Sequence, residues 1–166
     1  MTAAIVLLAI AQLPTACADR GQSRDFPDID SYPAVNLSDY AQIGMQPSSS
    51  AYLFKTPGDV MCVVGMITEM GVQCSGAQVG PAPKSTIAAS TLAPAEYSDQ
   101  APALERDAKL LPVGTKLDAG NGVVCAVIAD DSLACRAGPN AEMKPDDPVH
   151  HGVHGFVMQP SGNWTF

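Results

Sequence analysis

The stretch Gly58–Cys74, GDVMCVVGMITEMGVQC, is written again in outline at Asn121–Cys135, NGVVCAVIADDSLAC. In each, a short apolar run carries a central Cys, a loop follows, and a second run ends on a Cys. Superposing Cys62 on Cys125 places Val60 on Val123 and Val64 on Val127; superposing Cys74 on Cys135 places Val72 on Leu133. The spacings, C-x11-C and C-x9-C, differ by two residues. Side chains alternate faces along a strand, so two residues added between antiparallel strands change the loop and keep the pairing parity. One residue added would turn a side chain to the wrong face. Both stretches, 58–74 and 121–135, therefore predict hairpins whose Cys stand opposite each other. Cα separations of about 4.5 to 5.5 Å across such pairs lie within disulfide range.

The expected bonds are Cys62–Cys74 and Cys125–Cys135. Each closes a short loop, which on the chain-entropy description contributes about 2–3 kcal/mol. One Trp, four Phe and four Tyr make a core light in aromatics, where two staples matter more. Two other readings of the four Cys stay open. One is a metal site, although metal-binding Cys usually come as C-x2-C knuckles. The other is a reduced protein in which they are small buried hydrophobes.

The chain of 166 residues suits one domain. Nine Lys plus Arg stand against seventeen Asp plus Glu, net −8. No basic footprint for nucleic acid exists, and an anionic bilayer surface would repel the chain. Fourteen Gly and fourteen Pro favour turns and short strands over long helices.

Residues 1–20 read MTAAIVLLAIAQLPTACADR. Ala3–Leu13 is too short for a membrane helix and matches the core of a signal peptide. Ala16-Cys17-Ala18 fits cleavage after Ala18, giving a signal peptide over 1–18. The alternative is a lipoprotein cut before Cys17, which would then carry the lipid. No Lys or Arg precedes the apolar run, unlike the usual leader. Either route leaves four of the five Cys in the folded part, an even number that suits an exported disulfide protein.

Residues 19–50, polar and rich in Pro, Ser and Asp, read as a tether and an extended segment, and 51–166 as a single β-rich domain. Ala51–Thr56 is a strand by its aromatics, and Pro57-Gly58 a turn. Val60–Val64 is apolar on both faces and so predicts a strand covered on both sides. Ser75–Leu92 reads mainly as loop. Pro102–Leu111, PALERDAKLL, reads as one short helix, with Leu104, Ala108 and Leu111 at i, i+4, i+7 and Glu105 and Lys109 paired on another face. HGFVMQ, the turn PSGN and WTF close the chain as a hairpin or edge strand.

The segments FKTPGDVMC, GVQC, LPVGTKLDAGNGVVC, SLAC and HGFVMQPSGNW, in that order over Phe54–Phe156 and just beyond, resemble a group of small exported proteins and lipoproteins of mycobacteria and related actinobacteria. That pattern runs F-x-T-P-S-G-N-I-x-C, G-V-x-C, L-P-Y-G, G-x-x-C, V-x-C, G-H-G-F. This chain departs at Gly58-Asp59, at Val113 in place of Tyr, and at Val153 before His154-Gly155-Phe156. The resemblance implies a location and a fold type and no reaction.

Candidate chemistry is sparse. DDPVHHGVH holds Asp146, Asp147, His150, His151 and His154; His150 and His154 are four apart, which on a helix could chelate a metal. Pro148, Gly152 and Gly155 oppose a helix there, and a polar loop is the plainer reading. Met61, Met66 and Met70 lie near Cys62 as soft ligands for Cu(I) or as core and loop packing. No G-x-S-x-G elbow, P-loop or G-x-G-x-x-G occurs. Asp118 and Asp130-Asp131 read as turn residues.

The expected fold is mainly β, a small antiparallel sheet or barrel, a single sheet that curls into a small barrel or sandwich, with two disulfide-pinned hairpins and one short helix. The expected function is an exported, non-enzymatic cell-envelope protein without a cofactor, binding a partner protein or envelope ligand. It would touch the membrane only through a lipid on Cys17 and would not bind nucleic acid. The differing hairpin tips are the expected recognition surface. The alternative is an exported metal-binding protein using His150, His151 and His154.

Overall fold

The computed structural model describes residues 25–42, 51–65, 71–80, 85–100, 107–120, 122–138 and 152–166. Among them, eleven strands form two sheets. The first sheet is a meander of β1 (Tyr52–Lys55), β2 (Met61–Val64), β3 (Gly71–Ser75), β4 (Thr86–Ser90) and β5 (Glu96–Ser98), all antiparallel. The short β6 (Lys109–Leu110) joins the free edge of β1 in parallel. The second sheet is a meander of β7 (Thr115–Asp118), β8 (Val123–Ala129), β9 (Ser132–Ala137), β10 (His154–Met158) and β11 (Trp164–Thr165). The mainly β expectation holds; the single curled sheet is corrected to two, because each hairpin recruits its own flanking strands.

The sheets face each other over one core. Phe54, Cys62, Val64, Val72, Cys74 and Ile87 enter it from the first, and Leu117, Cys125, Val127, Leu133, Cys135 and Phe156 from the second. Both disulfides lie in this layer, and all four Cys are fully buried. Cys62 is registered on Cys74 and Cys125 on Cys135, and both pairs are bonded, with Cα–Cα distances of 4.0 and 4.1 Å. Antiparallel ladders alternate wide hydrogen-bonded and narrow non-hydrogen-bonded pairs. Gly65 N–H donates to Gly71 O and Gly138 N–H to Gly122 O, so counting three pairs inward puts each cystine at a narrow pair. There the Cβ atoms are close enough to bridge.

The strand at Val60–Val64 is apolar on both faces for a reason. Val63, only 1 % exposed, belongs to a smaller cluster with Ala51, Leu53 and Ala108 on the far side of the sheet.

Two expectations about local structure change. Of the expected helix 102–111, residues 102–106 lie outside the described residues, and Lys109–Leu110 is strand β6. Leu111 N–H donates to Lys55 O and its side chain is fully buried in the core. A ladder bond and a buried Leu outweigh a weak helical period, and Pro112 already disfavours helix at the residue before it. The stretch read as loop, Ser75–Leu92, contains β4. Its sequence, TIAAS, is poor in strand-forming residues, yet Ile87 and Ala89 point into the core between β3 and β5.

Of the expected tether and extended segment, residues 25–42 are described and run along both sheets. Ile29 is fully buried. Ala34 bridges Lys116 of β7 in parallel, and Ala41 bridges Tyr52 of β1 in antiparallel fashion. At the edge of β1 the segment meets β6: Tyr40 OH donates to Leu110 O at 3.1 Å, and Lys109 Nζ donates to Asp39 Oδ2 at 2.8 Å. The signal peptide expected over 1–18 and Cys17 lie outside the described residues.

Candidate functional site: a groove on the outer face of the first sheet

The outward side chains of each sheet line up in rows across the strands. On the first sheet one row reads Leu53, Val63, Gln73, Ala88, Glu96. The matching row on the second reads Lys116, Ala126, Ala134, Val157, Trp164. Each row lies one residue along from its cystine row, so the two rows are positionally equivalent.

The second row is covered. Ala126, Ala134 and Val157 pack with Val124 beneath Ile29, flanked by Phe26, Tyr32 and Trp164. Phe26 meets Trp164 edge-on at 6.4 Å between ring centroids and Phe166 at 5.0 Å. The cover is latched by charge: both Asp30 carboxylate oxygens accept from the Arg136 guanidinium at 2.8 Å, and Lys116 Nζ donates to Asp30 O. The hydrogen bonds from Arg136 hold the Asp30 carboxyl below its ordinary value, against a smaller opposing effect of desolvation.

The first row carries a concavity of about 470 Å³. Val63, Gln73 and Ala88 lie along it, Ala93 and Pro94 form a wall, and Glu96 stands at its edge. The hollow arises from side-chain size. Ala88 and Glu96 stand where the second sheet has Val157 and Trp164, and Gly71 on β3 adds no side chain, which leaves space over β3 and β4. Glu96 is exposed and the chain carries net −8. A ligand here meets an apolar base, the Gln73 amide and a carboxylate.

The residues singled out from sequence are dispersed. His150 and His151 lie outside the described residues, as do Asp146 and Asp147. His154 begins β10 opposite Ala137, and its Nε2 is buried without a hydrogen-bond partner among the described residues. Met66 and Met70 lie outside the described residues; Met61 packs on the outer cluster of the first sheet. Asp118 Oδ1 accepts from Gly120 N–H, closing a turn, and Asp130-Asp131 form the tight tip between β8 and β9. Of the two hairpin tips, only that of 121–135 is described. Among the described residues no group of three or more His, Cys, Asp or Glu is placed to hold a metal ion. The groove escaped the sequence reading because β4 and β5, which form half of it, carry weak strand signals. The alternation of Ile87 and Ala89 around Ala88 was the one available hint.

No family model matches the chain, and no curated protein or solved structure matches it.

Proposed function

We propose that this is an exported, cell-envelope interaction module whose groove receives a short peptide segment of a partner protein, one presenting an apolar side chain and a Lys or Arg. The observation that carries the reading is internal. The equivalent face of the second sheet is filled by a short segment, Phe26–Tyr32, whose 3-10 turn at Ile29–Ser31 supplies both an apolar anchor, Ile29, and a charge latch, Asp30. The first sheet offers the same row with smaller residues at two places, Ala88 for Val157 and Glu96 for Trp164, and so with a carboxylate, which favours a cation where the second sheet favours an anion. The two buried disulfides fit an oxidising compartment. Export with cleavage after Ala18, or lipidation at Cys17, rests on the leader-like residues 3–18, and the envelope setting on the ordered motifs from Phe54 to Phe156. No nucleic acid is proposed, given the acidic charge.

Selection of displayed random peptides on the purified mature protein tests the reading. Expected hits carry an apolar residue beside Lys or Arg and lose binding to Ala88→Trp, which fills the hollow, and to Glu96→Arg, which reverses its charge. Hits that bind these variants as well as the parent place recognition elsewhere. Enzyme-like turnover of a broad substrate panel would contradict a non-enzymatic role.

A second reading, metal binding through His150, His151 and His154, draws on one observation, the unpartnered buried Nε2 of His154. Calorimetry with Zn(II), Cu(II) and Ni(II) on the parent and the triple His→Ala variant decides it; absence of binding, or binding the triple variant keeps, removes it.

A further inference from the structure

We infer that the chain is a tandem pair of one arm-plus-five-strand unit, and that its two halves are each other's binding partner through a two-fold face with exchanged arms. The repeat seen in the sequence covers only a Cys hairpin; the structure extends it to every strand of both meanders. The cystine rows read Phe54, Cys62, Cys74, Ile87, Tyr97 on the first sheet and Leu117, Cys125, Cys135, Phe156, Thr165 on the second. The strands β1 to β5 thus correspond in order and register to β7 to β11.

Packing obeys the same symmetry. The sheets meet β3 against β9 and β4 against β10, equivalent strands facing each other, with β4 also touching β9. Equivalent strands facing each other are what a two-fold axis running across the strands produces.

The arms complete the argument. The residues leading into the first meander, Pro33–Val35, pair in parallel with β7 of the second: Lys116 N–H donates to Pro33 O, and Val35 N–H donates to Lys116 O. Those leading into the second meander, Lys109–Leu111, pair in parallel with β1 of the first, and Leu111 N–H donates to Lys55 O. Each unit therefore lends its arm to the outer edge of the other's first strand. Lys116 corresponds to Leu53, so the arms land two residues apart, an even offset that keeps the same face inward. Val35 and Leu111 both pack on the shared core. Parallel pairing is otherwise foreign to these antiparallel sheets, and two equivalent occurrences follow from one exchange.

Each disulfide closes within one unit, so cutting the connection leaves no covalent link. A protease site introduced between Gln100 and Asp107 of the full chain allows that cut. The nicked protein should elute at the mass of the uncut chain in native buffer. Its halves, separated in denaturant with disulfides intact, should recover the parent near-UV spectrum only when mixed, at a 1:1 ratio. Val35→Pro and Leu111→Pro each remove one arm donor and should each weaken association of the halves by at least about three- to tenfold, and Leu111→Pro by more, since its fully buried side chain is lost as well. Two folded particles eluting separately after nicking would overturn the inference, as would a loss confined to one arm. Where a Pro variant does not fold, amide exchange in the uncut parent decides. Val35 and Leu111 N–H should exchange together with the core, and independent fast exchange of either refutes the shared face.

Discussion

Single residues carry sharp constraints where backbones crowd. Gly155 lies on β10 so close to Cys135 O and to the Phe166 ring that an added Cβ would collide with both. Gly155→Ala must push β10 away from β9 beside the second cystine. A loss of about 1–3 kcal/mol is expected in denaturant melts. Asp59 is the opposite case, a non-Gly residue at φ 60° in the turn between β1 and β2. Asp59→Gly relieves that strain, and the same melts should show no loss and a gain of up to about 1 kcal/mol. Asp30 sets a pH dependence. Its carboxyl is held below the ordinary range by Arg136. Its contribution is therefore full above the unfolded value of about 3.9 and fades as pH falls through the lower folded value. Since Asp30 is 56 % exposed, Asp30→Asn should cost no more than about 1 kcal/mol at neutral pH. The gap to the parent should close as melts are taken from about pH 7 to about pH 2; a constant gap would mean the latch is not ionic.

Among the elements, the two hairpins and the N-terminal segment are stabilised differently. Replacing either cystine by an Ala pair should cost about 2–3 kcal/mol in denaturant melts, by loss of loop closure in the unfolded chain, with part of the cost offset or raised by repacking. Because both cystines line one core, with Cys74 on β3 and Cys135 on β9, strands that pack against each other, the double replacement should depart from the sum of the two losses by more than about 0.5 kcal/mol. The N-terminal segment is anchored by apolar burial with a modest ionic latch. Ile29→Asp buries a charge above Ala126, Ala134 and Val157 and should release the segment. Emission from the lone Trp164 should then shift to the red and dye binding to the uncovered sheet face should rise, while the disulfides remain intact. Elements were unequally legible in the sequence. The strands around Cys62, Cys74, Cys125 and Cys135, β1 with its β-branched and aromatic neighbours, and the closing hairpin of β10 and β11 announce themselves by parity and turns. β4 does not, because Ala and Ser carry little strand preference and gain their place from Ile87 docking in the core. β6 misleads, because two residues of edge pairing are too short to leave a period of their own.

For the whole molecule, the proposed binding role is tested at the groove. A sheet face formed by four strands is read from no single segment; Val63, Gln73, Ala88 and Glu96 become neighbours only once three registers are set. What the sequence by itself determined is what local arithmetic reaches: a β-rich acidic chain, hairpins at 58–74 and 121–135, and Cys pairs whose even difference in spacing keeps them opposite. Those features depend on neighbours within about a dozen residues, where the two-residue alternation of strands leaves a readable mark. Only the tertiary structure decided that two sheets form instead of one, that the arms at Pro33–Val35 and Lys109–Leu111 cross between them, and that one outer face is filled while, among the described residues, its counterpart is covered at Leu53 and Val63 and hollow over β3 and β4. These are long-range pairings selected by burial of the shared core, and the residues that make them, Ala34, Leu110, Ala88 and Glu96, carry no local sign of their partners.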